Sequence, residues 1–380
     1  MARNNSWGTM RSPRINVWRI VRIGLAVLAL VGAIALGWYL IRSHSAHASN
    51  LIQAATTTYP WGIALDTNGH IWVAEPACEA SPTCGTPPPG MIGEYNMSDD
   101  SKVQDFSPIQ NYNPVFVAAD ANGNIWFTDP THDAIGELIP GTFIWAEWTA
   151  PTIGAAPYDL LLDKNGNLWF TEIDASQIGF FNTSSHTFVE TATPTANSHP
   201  YGITMDPHGT IWFAENTLAK IGSFTPTKSG SPITITEHTI STPLPHLITS
   251  DKSGNIWYSE GFAGQVGEYI PAQNKSRDFS VARNICPTPT GTPTRKLAPC
   301  PGTHISGIAT DSNGLVWFDD SLSARIGFLN PATGAVRTIT IGPSSHPHDG
   351  LAVDSNNNIW VTEQYGFRLD ELTGPQPLSR

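Results

Sequence analysis

The chain has 380 residues, 40% of them hydrophobic, which is enough to bury a sizeable core. Only 14% are charged, while 33 Gly and 31 Pro suit an all-β protein rich in turns. The first 48 residues carry six Arg and no acid, so taking those six charges from a net −12 leaves −18 on the remainder. A body that acidic repels phosphate backbones, which argues against nucleic acid as a partner.

Residues 1–22 are polar and basic (Arg3, Arg11, Arg14, Arg19, Arg22) and read as a cytoplasmic tail. Residues 23–41 are nineteen uncharged, mostly apolar residues, long enough to cross a bilayer as a helix. The Arg bias places the N-terminus inside and the rest of the chain outside, in an extracellular or periplasmic space. The segment is therefore predicted to be a transmembrane signal-anchor. Ala46-His47-Ala48 also offers a cleavage site, and cleavage there gives a secreted protein. Residues 42–50 read as a linker, 51–372 as the folded body and 373–380 as a tail.

The body is built on one stretch, Asp163-Lys164-Asn165-Gly166-Asn167-Leu168-Trp169-Phe170-Thr171-Glu172. Its pattern recurs seven times, with Trp72, Trp126, Trp169, Trp212, Trp257, Trp317 and Trp360 at spacings of 54, 43, 43, 45, 60 and 43 residues. A strand signature repeating every 40–50 residues predicts a β-propeller with one repeat per blade. Asp163 opens a tight turn and Gly166 closes it with positive φ; in blade 7 Asn357 takes the glycine's place. The run Leu168-Trp169-Phe170 is apolar at consecutive positions, as in a sheet covered on both faces.

Each repeat reads as four strands. In blade 3 these are A at Tyr158–Leu162, B at Leu168–Thr171, C at Gln177–Asn182 and D at Thr187–Thr191. An apolar residue followed by Gly marks strand C, as at Ile92, Ile135, Ile178, Ile221, Val266 and Ile326. Blade 7 stops after strand C, so Leu51–Thr57 is predicted to supply its outer strand and close the ring. The insertions at 75–90 and 283–302 hold Cys78, Cys84, Cys286 and Cys300. Their spacings are not those of a zinc site, and two local disulfides in an oxidising compartment are expected.

Up-and-down connectivity puts the B–C and D–A loops on one face, where strand A begins at the mouth of the central channel. The leading residues there are Trp61, Val115, Tyr158, Tyr201, His246, then His304 or Ser306, then His348, with His346 beside it. The carboxylates ending strand B are Glu75, Asp129, Glu172, Glu215, Glu260, Asp320 and Glu363. Their presence in every blade points to a structural role, accepting backbone N–H groups of neighbouring loops.

The repeats Asn124-Ile125-Trp126-Phe127-Thr128-Asp129 and Asn167-Leu168-Trp169-Phe170-Thr171-Glu172 resemble those of the streptogramin B lyase (virginiamycin B lyase) family, as do Ile178-Gly179 and Pro200-Tyr201-Gly202-Ile203. The resemblance covers residues 51–372 and implies a seven-bladed propeller that opens a cyclic depsipeptide by elimination at its ester, with Mg²⁺. It implies His348 as general base, through Pro347-His348 in blade 7. The family's preceding Glu is His346 here, Asp349 is inserted before Gly350, and the metal-binding Glu aligns with Gln364, one residue from Glu363. The blade 6 histidine position holds Ser306, with His304 two residues earlier, and Pro245-His246-Leu247-Ile248 carries the blade 6 motif in blade 5.

Two readings of the mouth follow. In one, a monomeric propeller binds a small molecule, peptide or glycan through Trp61, Tyr158, Tyr201, His246 and His346. In the other, it is a lyase or hydrolase opening a cyclic ester or lactone. There His348 and His304 act as catalytic groups, and His246, His304 and Glu363 hold Mg²⁺ or another divalent cation.

Overall fold

A computed structural model describes residues 51–77, 89–282, 302–342 and 345–373. The anchor expected at 23–41 and all four cysteines lie outside the described residues. Among the described residues no helix is long and apolar enough to cross a membrane. The body forms seven four-stranded antiparallel sheets, the blades of the expected propeller. Blade 3 comprises Pro157–Leu162, Leu168–Glu172, Gln177–Asn182 and Thr187–Ala192 as strands A to D.

Blade 7 is completed by the N-terminal strand. Leu51–Ala55 pairs antiparallel with Arg368–Leu372, which pairs in turn with Ile359–Glu363. The strand ends earlier than Thr57, because Thr57 and Thr58 turn their N–H groups onto Glu75 Oε2 at 2.7 and 2.9 Å.

The turn aspartate does more than its sequence position suggests. Asp163 Oδ1 accepts the N–H groups of Asn165 and Asn167, while Oδ2 accepts the Trp169 indole N–H at 3.3 Å. The same indole bond joins Trp72 to Asp66, Trp126 to Asp120, Trp212 to Asp206, Trp257 to Asp251 and Trp317 to Asp311. Asp and Trp therefore recur together because a buried indole N–H needs an acceptor. In blade 7, Asn358 Nδ2 takes the Asp354 oxygen instead.

In blades 2 to 6 the strand C glycine answers to the aromatic residue after the Trp; in blade 1, Gly93 lies opposite Val73 and makes room for Glu75 and Tyr95 instead. Phe170 lies opposite Gly179 in register, and a Cβ on Gly179 would come 2.1 Å from Phe170 Cζ. Blade 7 has Val361 opposite Asp370, so no bulky ring requires a glycine there. Gly179→Ala should cost about 1–3 kcal/mol, the range for overpacking a filled core. The guanidinium midpoint measures it, and an unchanged midpoint would show that the ring can swing aside.

The strand B acids are buried in all seven blades. Four accept backbone N–H groups as expected: Glu75, Asp129 from Asn113 (2.6 Å), Asp320 from His304 (2.9 Å) and Glu363 from His346 (2.8 Å). Glu172, Glu215 and Glu260 instead face a second carboxyl from strand D, namely Glu190, Glu237 and Asp278. Burial and the facing acid push Glu172 and Glu215 up to about 8. A carboxyl raised in the folded state gives stability that is whole below its unfolded value near 4.5 and is lost as pH rises through its folded value. Burial instead depresses His304 and His346, which matter below pH 6.5, so the window above it isolates the acids. Stability should fall from pH 6.5 to 8.5, by about 1–2 kcal/mol for each acid. Glu172→Gln should flatten the slope; an equal slope in that variant would locate the pH dependence elsewhere.

Candidate ligand site at the channel mouth

Strand A of blades 3, 4 and 6 carries one extra residue against strand B, between Pro157 and Leu160, Pro200 and Ile203, and Ile305 and Ile308. In blade 7, Pro347 pairs with Glu363 and Leu351 with Val361, so two extra residues are accommodated. Bulges re-aim side chains. The second extra residue is Asp349, held at φ +60° with its carboxylate buried in the channel.

The carboxylate gathers side chains from four blades. Tyr158 and Tyr201 donate their hydroxyls to Oδ2 at 2.9 and 3.2 Å, and the two hydroxyls lie 2.5 Å apart. His246 Nε2 lies 3.1 Å from Oδ1, which also accepts the Ser306 hydroxyl. The Asp349 N–H closes the contact by donating to Ser306 Oγ at 3.0 Å. Asn216 Nδ2 sits 3.3 Å from His246 Nδ1, so the pattern calls for the imidazole proton on Nε2. Burial opposes the charge on Asp349. The adjacent His348 and His246, with the hydrogen bonds from His246 and Ser306, nevertheless hold it well below the usual carboxylate range. Nearby Asp319 is pushed up by burial and by Asp349, and Asp159 rises to about 7 for the same reasons. Asp349 thus stays ionised while the buried carboxyls of Asp319 and Asp159 beside it are biased toward their protonated forms.

Above it the rings form a continuous wall. Tyr158, Tyr201 and His246 follow one another at centroid distances of 4.3 and 4.0 Å. His304 and His348 continue at 5.3 and 5.4 Å, and Trp61 ends the run 5.2 Å from His348. His346 stacks outside His348 at 5.6 Å. These seven residues, with Phe262, Ser321 and Leu322, enclose a bowl of about 390 Å³. Burial first, then the neighbouring imidazoles, lower His304 to about 3; burial and His348 lower His346 to about 4. Both are neutral at pH 7. His304 Nδ1 contacts Ser321 Oγ at 3.0 Å, and Asp320 accepts both the His304 N–H and the Thr303 hydroxyl.

The leading strand A residues singled out in the sequence meet in this bowl except Val115, which belongs to the core, and Ser306, which bonds Asp349. Glu363 does not reach it. Its Oε2 accepts the His346 N–H and lies 3.7 Å from Arg368. Sequence reasoning missed the gathering role of Asp349, which read as a departure from a motif, and missed Phe262, Leu322 and Ser321 in the B–C loops. A signal for Asp349 existed in the extra residue between Pro347 and Gly350.

The donor set does not fit Mg²⁺, which demands about six oxygen ligands in near-octahedral geometry. The bowl offers imidazoles, the Asp349 oxygens already hold four donors, and Gln364 stands where a metal carboxylate was expected. His246, His304 and Glu363 do not form a close trio of ligand atoms; among the described residues only Asp129, His132 and Glu147 do, within 4.8 Å.

Comparison with known proteins agrees with this architecture. The NHL repeat model matches residues 57–80, and no curated protein matches. A virginiamycin B lyase from Staphylococcus aureus superposes with TM-score 0.69 at 24% identity, over 85% of this chain and 98% of that one. The same scores hold for its catalytically inactive His-to-Ala variant with quinupristin. A streptogramin B lyase structure superposes with TM-score 0.69 at 20% identity, over 85% and 96% of the two chains. At these identities the structures establish the fold. The virginiamycin B lyase family model matches residues 89–295, more than half of the sequence, and the chain belongs to that family.

Proposed function

We propose that this propeller is a membrane-anchored, extracytoplasmic binding module whose channel mouth takes a small molecule, peptide or glycan. The observation that carries the reading is the run of aromatic and imidazole rings, from Tyr158 round to Trp61, that lines the bowl. Its volume of about 390 Å³ falls in the range of small-molecule pockets. Ring faces bury apolar ligand surface, and neutral imidazoles offer a donor and an acceptor each. The outward placement rests on residues 23–41 and the Arg-rich tail before them. Screening cyclic depsipeptides, short peptides and oligosaccharides by Trp fluorescence tests the binding. A hit should survive EDTA and weaken at least about tenfold in Trp61→Ala, as expected for an aromatic anchor. A hit that EDTA abolishes would overturn the reading.

A second reading, ring opening of a cyclic ester, is favoured by one contact. His348 Nδ1 lies 3.5 Å from Asp349 Oδ2, an arrangement that orients an imidazole for proton abstraction. Asp349 would hold and orient that imidazole, and His348 would take the proton from the carbon next to the one bearing the ester's alkyl oxygen; the C–H electron pair becomes a C=C bond, the alkyl C–O bond breaks and the carboxylate leaves. Ester-opening assays on wild type and His348→Ala decide it: equal inertness leaves binding alone.

A further inference from the structure

We propose that Asp129, His132 and Glu147 form a zinc site in blade 2, on the same face as the bowl but separate from it. Asp129 ends strand B (Ile125–Asp129), His132 lies in the following turn, and Glu147 reaches over from strand D (Ile144–Thr149). His132 Nδ1 stands 2.9 Å from Asp129 Oδ2 and 3.6 Å from Glu147 Oε2. Two ligand atoms each about 2.1 Å from a tetrahedral zinc are separated by about 3.4 Å, so the three atoms already bracket the required spacing. One imidazole and two carboxylates suit Zn²⁺ as a donor set.

Comparable acid pairs show what is unusual here. In blade 1, Lys102 sits 2.5 Å from Asp105 and 3.8 Å from Glu75; in blade 4, Lys220 sits 2.5 Å from Glu237. Blade 2 places an imidazole beside its pair, a group that can ligate through a lone pair as well as carry charge. The Glu147 side chain is nine-tenths buried, yet Oε1 has no hydrogen-bond partner. The Asp129 backbone contacts from Asn113, Thr131 and His132 hold the first ligand rigid, as a supporting shell should. His132 is 41% exposed, which leaves water access to the fourth position. Zinc here would clip the B–C turn to the outer strand.

The test uses the full chain stripped of metal, titrated with ZnCl₂ by equilibrium dialysis, with Co²⁺ as a spectroscopic stand-in. Wild type should take up one more zinc per chain than His132→Ala or Glu147→Gln. It should show a tetrahedral Co²⁺ band that both variants lack, while His304→Ala in the bowl retains both. Equal uptake and equal Co²⁺ spectra in wild type and His132→Ala would overturn the proposal. His132 is half exposed and its removal leaves the core intact, so that variant decides even where Glu147→Gln fails to fold.

Discussion

Deleting residues 49–58 should lower the melting temperature by more than about 10 °C, or abolish cooperative unfolding. The strand lost, Leu51–Ala55, pairs along its whole length with Arg368–Leu372, and Thr56 N–H adds a bond to Phe367 O at 2.8 Å. At about 1 kcal/mol net per backbone hydrogen bond, the ladder is worth several kcal/mol. Glu75 loses two N–H partners at the same time, and an acid left buried without them costs about 1–3 kcal/mol more. The sum approaches the whole stability of an ordinary domain, about 5–15 kcal/mol. The deletion also bares the edge of Arg368–Leu372, so aggregation should accompany the loss. Differential scanning calorimetry on wild type and deletion compares them directly. An unchanged transition would mean that three strands suffice for blade 7.

The blade count, the closure and the leading residues of strand A were legible because each has a local signature. A period of 43, an Asp-x-x-Gly turn and a Trp need no tertiary knowledge, and a missing last strand announces itself by subtraction. What stayed hidden depends on register. Asp163 and Trp169 are six residues apart, and their hydrogen bond appears only when the turn folds the carboxylate over the indole. The pairing of Glu172 with Glu190 reaches across strand C, between residues eighteen apart on strands B and D, and nothing local in either residue reveals it. Asp320 likewise reads as one more strand-end acid, while in space it fixes the backbone that presents His304. Asp349 was the hardest. Its meaning lies in a second bulge residue that turns a carboxylate inward, which a linear motif records only as a mismatch.

Asp349→Ala should destabilise the propeller by about 3–5 kcal/mol, the cost of removing one partner from a buried charged network. Tyr158, Tyr201, Ser306 and His246 all direct hydrogen-bonding groups at its two oxygens. Alanine is also strained at φ +60°, whereas asparagine tolerates it, so Asp349→Asn separates charge from backbone. The amide can accept at one end only, and at the other its NH₂ faces donors; about 1–3 kcal/mol should be lost. The pH dependence distinguishes the two effects. Asp349 ionises well below its unfolded value of 3.8, so its contribution is whole above that pH and drains as pH falls further. Wild type should therefore lose stability below about pH 4 more steeply than Asp349→Asn. The same substitution frees His246 and His348 from their common anchor, and ligand affinity at the bowl should fall with it. Guanidinium titrations at pH 7 and pH 3 measure both terms. Equal stability of wild type and Asp349→Asn at the two pH values would mean that the carboxylate holds nothing together.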